Sequence, residues 1–203
     1  MDIKGKKQKI PLDFYRREEL FQIGKELLGC HLFTQFDGQL TGGIIVEIEV
    51  YKGSEDRASH AYDNKMTERT RVMFERGGVA YVYLCYGMHH LFNIVTGREG
   101  TPHAILVRSV LPVHGIEIML KRRKKRSCSS SITSGPGMVT QALGIRTCHN
   151  GASLVSDRIW LEKGGIEIAA HHILTSPRIG VEYAGKDALL PWRFHLAENS
   201  GIT

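Results

Sequence analysis

The sequence predicts an α+β fold, and three observations carry the prediction. Strand-like runs outnumber helical ones. The two kinds follow one another in mixed order, whereas a doubly wound sheet would alternate them regularly. The length of 203 residues, 42% of them hydrophobic, is ample for one core. No internal repeat and no linker interrupts the chain, so residues 1–203 read as one domain.

In order along the chain, residues 14–28 place Leu20, Ile23, Leu27 and Leu28 at helical spacing, with Asp13 as N-cap and Gly29 as stop. Residues 31–35 and 43–51 read as strands, and 52–66 as a polar loop. A short helix is expected over 67–75, capped by Thr67 and ended by Gly77-Gly78. Strands follow near 79–85, 89–96 and 103–110, then a helix over 113–125. "RSCSSSITSGP" reads as a flexible loop, and Pro136 at a first helical position opens a helix through Leu143. Short strands near 158–162, 166–174 and 178–183, with "PWRFHL", finish the chain.

Charge and cysteine usage narrow the function classes. The chain has 27 Lys+Arg against 21 Asp+Glu, a formal net charge of +6, which favours a polyanionic partner. No apolar run is long enough for a transmembrane helix, and "MDIKGKKQKI" lacks the apolar segment of a secretory signal. Cys30, Cys85, Cys128 and Cys148 are scattered without a CxxC, which fits a reduced, cytoplasmic compartment. The pairs His89/His90 and His171/His172 have no partner at zinc-ligand spacing, so no metal is expected.

The segment "GGIIVEIEVYKG" alternates. Val46, Ile48 and Val50 share one face, and Ile45, Glu47, Glu49 and Tyr51 the other. Carboxylates on a half-buried strand usually face water. Here Ile45 and Tyr51 flank them, and the strand runs into a polar loop that holds His60. A glutamate beside aromatic rings can serve as general base or acid.

In "YVYLCYGMHHLFNIV", two strands meet at the tight turn "CYGM". Tyr81, Tyr83 and Cys85 point one way, and Val82 and Leu84 the other. Tyr86 belongs to neither face and stands exposed at the apex. Such a ring can wedge between stacked bases or anchor a protein interface. Arg108 ends the apolar run "HAILVR" and needs an acidic or phosphate partner, while Asn93 in a buried strand needs a hydrogen-bond partner. The run "KRRKKR", 121–126, is either a solvated helix end or a phosphate contact.

These segments, with "VEIEVYKGSEDRASHAY", "ILVRSVLPVHGIEIM", "SGPGMVTQALGI" and "RIGVEYAGKDALLPWRFHL" in this order, resemble the alkyladenine (3-methyladenine) DNA glycosylases of the AAG or MPG type, in a short bacterial form. The resemblance spans about residues 10–196. It implies a compact α+β domain with a curved antiparallel sheet, flanking helices and a protruding β-hairpin. It also implies a monomeric, cofactor-free enzyme that removes alkylated or deaminated purines from duplex DNA without lyase chemistry.

By motif, Glu49 matches the base that activates water, and Arg108 the arginine that helps hold that water. Tyr51, His60 and Tyr83 match the walls of the base pocket. Asn93 matches the asparagine that crowds out the guanine amino group, and Tyr86 the intercalating side chain. Lys65, Thr67, Met88 and His89 fall where the family touches DNA. The chain departs from the family at Glu68 and Thr70, where Pro and Asn are usual, at Met138, where lysine is frequent, and at His89, where an aromatic is usual. Two other classes compete. A non-catalytic lesion-sensing protein would have no need of Glu49, Arg108 and His60 together. A metal nuclease using Glu47 and Glu49 would lose activity with a chelator. Glu47 is assigned to structural pairing.

Overall fold

The computed structural model describes residues 8–127, 132–164, 168–198 and 200–202. Most of the basic N-terminus, Cys128 with the three serines after it, and the first two residues of the strand expected over 166–174 lie outside the described residues. In the rest of that stretch Ala170–His172 is a 3-10 turn and the strand begins only at Ile173.

Strands and helices are interspersed, as an α+β fold requires. The helices are α1 (Leu12–Tyr15), α2 (Leu20–Leu27), α3 (Ile116–Arg123) and α4 (Pro136–Leu143). The strands are β1 (His31–Phe36), β2 (Gln39–Tyr51), β3 (Ala80–Cys85), β4 (His89–Thr96), β5 (His103–His114), β6 (Ile159–Glu162), β7 (Ile173–Ser176) and β8 (Arg193–Leu196). All pairings are antiparallel, in the order β3-β4-β5-β2-β1-β6, with β8 joining β2 and β7 joining β8.

The long strand β2 is the spine of the sheet. It pairs with β1 over 39–44 and with β8 over 47–49, while β5 runs along it from Gly42 to Tyr51. The partner changes where β2 carries one residue too many. Ile45 pairs with Val110 and Glu47 with Ser109, so Val46 is unmatched. Two positions on, Glu47 pairs with Ser109 and Ile48 with Val107, so Arg108 of β5 is unmatched. A β-bulge bends a strand and re-aims side chains. Here two adjacent bulges curl the sheet and turn residues toward its concave side.

The first bulge corrects the expected face of Ile45. That residue is buried in the same core as Ile48 and Val50, while Glu47, Glu49 and Tyr51 lie on the opposite face. Strict alternation holds only from Glu47 onward, because the extra residue shifts the phase.

The helices cover one face of the sheet. Ile23 and Leu27 of α2, with Val139 and Leu143 of α4, close over Ile48, Val50, Phe92, Ile94, Ile105 and Val107. Truncating one such buried aliphatic side chain to alanine costs about 2–5 kcal/mol. Turns and loops cover the other face. Val72, Met73 and Phe74 pack on Tyr81, Val95 and Ala104, and Val181 and Ala184 pack on Ala58 beside Tyr51.

Four further expectations need correction. The helix expected over 14–28 is two short helices, and Asp13 lies inside the first rather than capping it. The Tyr15 carbonyl accepts the Gly97 N–H at 2.8 Å, so it is taken by the sheet and the first helix stops there. The helix expected over 67–75 is a 3-10 turn at Arg71–Phe74, preceded by Thr70, whose side chain makes no capping bond to it. Thr67 and Thr70 exchange amide-to-hydroxyl hydrogen bonds of 2.8 and 3.2 Å, which satisfies the backbone before a full turn of α-helix forms. The third correction lengthens β5 to His114, and α3 begins only after Gly115, whose φ is 67°. Finally, 178–183 forms no strand: it is a loop running into a 3-10 turn at Glu182–Leu189.

Candidate active site

On the loop-covered face the sheet leaves a cleft of about 500 Å³. Glu49, Tyr51, His60, Tyr83, Tyr86, Asn93 and Arg108 all line it. The topology explains the meeting. Glu49 and Tyr51 come from the end of β2, Arg108 from the bulge of β5, Asn93 from β4 and Tyr83 from β3, all on one face. His60 arrives on the loop that follows β2.

Glu49 forms the floor and has no exposed surface. Three donors hold it. The Tyr51 hydroxyl donates to Oε2 at 2.8 Å, the Ile179 N–H donates to Oε1 at 2.8 Å, and Arg108 Nη1 lies 3.2 Å from Oε1. Each of these groups offers a proton, so Glu49 is held as an acceptor, and Oε2 keeps a lone pair beyond the Tyr51 bond. Burial, and then the neighbouring Glu49, push the Tyr51 phenol well above its ordinary pKa, so it remains a donor.

Arg108 spans both carboxylates of β2. Its Nε donates to Glu47 Oε1 at 2.9 Å while Nη1 reaches Glu49. Glu47 also accepts from Arg193 Nε at 2.7 Å. Glu47 Oε1 thus accepts from two arginines, which fixes Arg108.

The walls are aromatic. His60 meets Tyr83 edge to face, with ring centroids 4.6 Å apart, and Tyr81 lies 5.3 Å from Tyr83. His60 Nε2 is 3.2 Å from Arg69 Nη2, and a guanidinium can only donate. Nε2 therefore accepts, and Nδ1–H donates to the Tyr81 hydroxyl oxygen at 2.9 Å. Burial, then the charge of Arg69, push the His60 pKa down to about 4, so the ring is neutral near pH 7. Asn93 is buried and donates its side-chain amide to the Tyr81 carbonyl at 3.1 Å.

At the rim stands Tyr86, 89% exposed. Its φ is +49° and that of Gly87 is +69°, and the Met88 N–H donates to the Cys85 carbonyl at 3.1 Å. Positive φ at both central residues is the mark of a type I′ hairpin turn. The glycine adopts it freely, whereas the tyrosine adopts it against its own preference.

The remaining sequence candidates lie outside the cleft. Lys65 and Thr67 are exposed on the approach to the 3-10 turn. Met88 and His89 line a separate groove beside α4.

Sequence reasoning missed three contributors. Arg69 places its guanidinium carbon 4.8 Å from the Tyr83 ring centre, directly in the cleft. Tyr183 lines the opposite rim, 70% exposed, and donates its hydroxyl to the Ala58 carbonyl at 3.0 Å. Arg178 is buried against Asp56 and lies 4.8 Å from the Tyr51 ring centre. The signal for Arg178 was present, since a buried arginine in an apolar neighbourhood demands a carboxylate, and Asp56 lies in the loop after β2.

Among the described residues, no three His, Cys, Asp or Glu side chains gather as metal ligands would, and no helix is long and apolar enough to cross a membrane. A curled antiparallel sheet, a buried glutamate bridged to an arginine, and an aromatic cleft beneath an exposed tyrosine define the class. The chain belongs to the methylpurine-DNA glycosylase (MPG) family, which matches residues 13–200. It is 44% identical over 188 residues to a protein of Chlamydia felis, covering 92% of this chain and 95% of that one. It is 40% identical over 202 residues to one of Alkaliphilus oremlandii, covering 96% and 98%, and 43% identical over 193 residues to one of Bacillus cereus, covering 91% and 94%. All three relatives carry the provisional name 3-methyladenine DNA glycosylase.

Proposed function

We propose that the chain is a monofunctional DNA glycosylase. It takes an alkylated or deaminated purine out of duplex DNA and hydrolyses the N-glycosidic bond with a water activated by Glu49, leaving an abasic site. The observation that carries this reading is Glu49 on the floor of an aromatic cleft, bridged to Arg108, with Tyr86 at its mouth.

A purine inside a duplex hides its glycosidic bond, so the nucleotide must rotate out at a cost of about a few kcal/mol. Stacking on Tyr83 and Tyr51 returns roughly 1–3 kcal/mol per aromatic contact. Tyr86 in the vacated space offsets more. A cationic methylpurine gains further from the ring faces. Asn93, fixed by its bond to the Tyr81 carbonyl, limits the space for an added amino group. Lys65, Thr67, Met88 and His89 extend the DNA contact beyond the cleft.

As the bond breaks, the sugar acquires oxocarbenium character. The Glu49 carboxylate stabilises that charge and takes the proton of the attacking water through its free Oε2 lone pair. Arg108 holds the carboxylate and the water in register. Among the described residues no lysine lines the cleft, which supports hydrolysis without a Schiff base. The reading needs no metal or cofactor, one domain over residues 1–203, and a monomer at work on DNA in the cytoplasm.

The test is single-turnover base release, with EDTA present, from duplexes carrying 7-methylguanine, hypoxanthine or ethenoadenine, for wild type and Glu49→Gln. The wild type should release at least one base, and the variant should be slower by at least about 10³-fold, the scale of a lost catalytic group. Tight lesion binding by the wild type without release would instead make the chain a lesion-sensing protein.

A further inference from the structure

Two grooves outside the aromatic cleft join into one cationic track. The first begins at Met88 and His89 of the hairpin and passes along α4 to Arg122, Gly144 and Arg146. The second contains the same three residues and continues to His149 and Arg158.

Three arginines without a carboxylate partner gather in this track, whereas many elsewhere are paired. Arg17, Arg98, Arg108, Arg178 and Arg193 each pair with a carboxylate. Among the described residues, none lies within ion-pair distance of Arg122, Arg146 or Arg158. Arg122 donates to neutral oxygens: Ala142 O at 3.1 Å, Thr41 Oγ1 at 3.3 Å and Gln39 Oε1 at 3.3 Å. Arg158 lies 5.8 Å from the Phe36 ring centre, which itself stacks on His149 at 4.2 Å. Arg146 is exposed. Among the described residues, Asp37 is the acidic one on these walls; its charge favours Arg122 through space, at more than ion-pair distance.

Gly144 ends α4 at φ +76°, and a Cβ there would stand 2.9 Å from the Arg122 guanidinium carbon. Arg122 is held at this helix end by its bond to the Ala142 carbonyl. The last turn of α3, with Lys121, Arg122 and Arg123, adds further charge alongside. The local field also shows in the imidazoles. Burial, then Arg146, lower the His90 pKa, and burial, then Arg158 and Arg146, lower that of His149.

We propose that this track binds backbone phosphates of the duplex arm that runs past the hairpin, making a second DNA contact surface beyond the base cleft. The assignment of duplex DNA rests on the glycosylase reading. The charge pattern assigns the phosphates, since unpaired arginines in a groove match a polyanion of regular spacing. It also gives the basic run at the end of α3 a role.

Affinity is measured from about 50 to about 200 mM salt on lesion duplexes with a long arm on one side or the other, and on undamaged duplex. Wild type is compared with Arg146→Ala/Arg158→Ala and with Arg98→Ala, whose residue pairs with Glu18. The double variant should bind at least about tenfold more weakly when the arm on the groove side is long, with a salt slope shallower by about 1.8 for two lost phosphate contacts. Shortening that arm should bring it level with the wild type, and Arg98→Ala should keep the wild-type slope. If the double variant melts early, single Arg146→Gln and Arg158→Gln should each flatten the slope by about 0.9. Equal slopes for wild type and variants, or a loss indifferent to arm length, would overturn the proposal. Base release by the wild type is read separately. Its failure, with the slope change intact on undamaged duplex, would remove the glycosylase reading and leave the phosphate track standing.

Discussion

Arg178 and Asp56 form an ion pair in which neither side chain has exposed surface. The guanidinium also donates to the carbonyls of Val50 and Asp187. The loop is thereby tied to the end of β2, and the next residue, Ile179, delivers its amide to Glu49. A buried pair outside the reacting centre thus sets one of the three donors on the carboxylate.

Removing one partner strands the other charge in the interior. Asp56→Ala should lower stability by about 3–5 kcal/mol. Asp56→Asn, which keeps an acceptor, should lose less. Urea unfolding of the three proteins decides this. If Asp56→Ala unfolds at the wild-type midpoint, the pair does not hold the loop.

His60 gives a pH dependence of defined sign. Its folded pKa is about 4 against an ordinary 6.5. The folded form therefore binds the proton less readily than the unfolded chain. The stability this lends is full above about pH 6.5 and is lost as pH falls toward about 4. Between about pH 7.5 and pH 5, wild type should lose up to about 2 kcal/mol that His60→Gln does not lose. Parallel unfolding curves at both values would mean that His60 is not held neutral.

Tyr86 separates folding from binding. A non-glycine residue with positive φ is strained by about 1 kcal/mol. Tyr86→Gly should therefore raise the melting temperature slightly while weakening lesion-duplex binding by roughly tenfold, the scale of one lost aromatic contact. Equal lesion affinity for the two proteins would remove the wedge from the proposed function.

Arg69 lies against the ring face that the proposed function gives to the base. A cationic purine arriving there meets a like charge, and a neutral one does not. Arg69→Met keeps the length and removes the charge. The ratio of 7-methylguanine to hypoxanthine release should rise roughly fivefold, within the range of about 0.5–2 kcal/mol for a cation on an aromatic face. A ratio that stays constant would show that Arg69 leaves the cleft before either base enters.

Much of this arrangement was legible in the sequence, and the remainder had physical reasons to be hidden. Glu47, Glu49 and Tyr51 could be put on one face because alternation survives from Glu47 onward. Ile45 could not, because a bulge inserts a residue without changing composition, and Val46 looks like any strand residue. The tyrosine at the hairpin apex was readable from its glycine neighbour. The break after Tyr15 was not, because it depends on the Gly97 amide, more than eighty residues away. The loop at 178–183 resembled a strand because its apolar residues face the site rather than a ladder. Arg69 gave no periodic signal at all, since its place follows from the loop's course rather than from any spacing.

Of the seven tyrosines, Tyr86 is the most accessible, at 89% against 70% for Tyr183 and 39% for Tyr62, and the rest are more enclosed. A nitrating or iodinating reagent would thus mark the hairpin tip before any ring of the cleft. Because the turn that carries it has a fixed shape, such a mark would move with the sheet and not on a tether. The molecule carries its own labelling site at the point where a bound duplex would shield it.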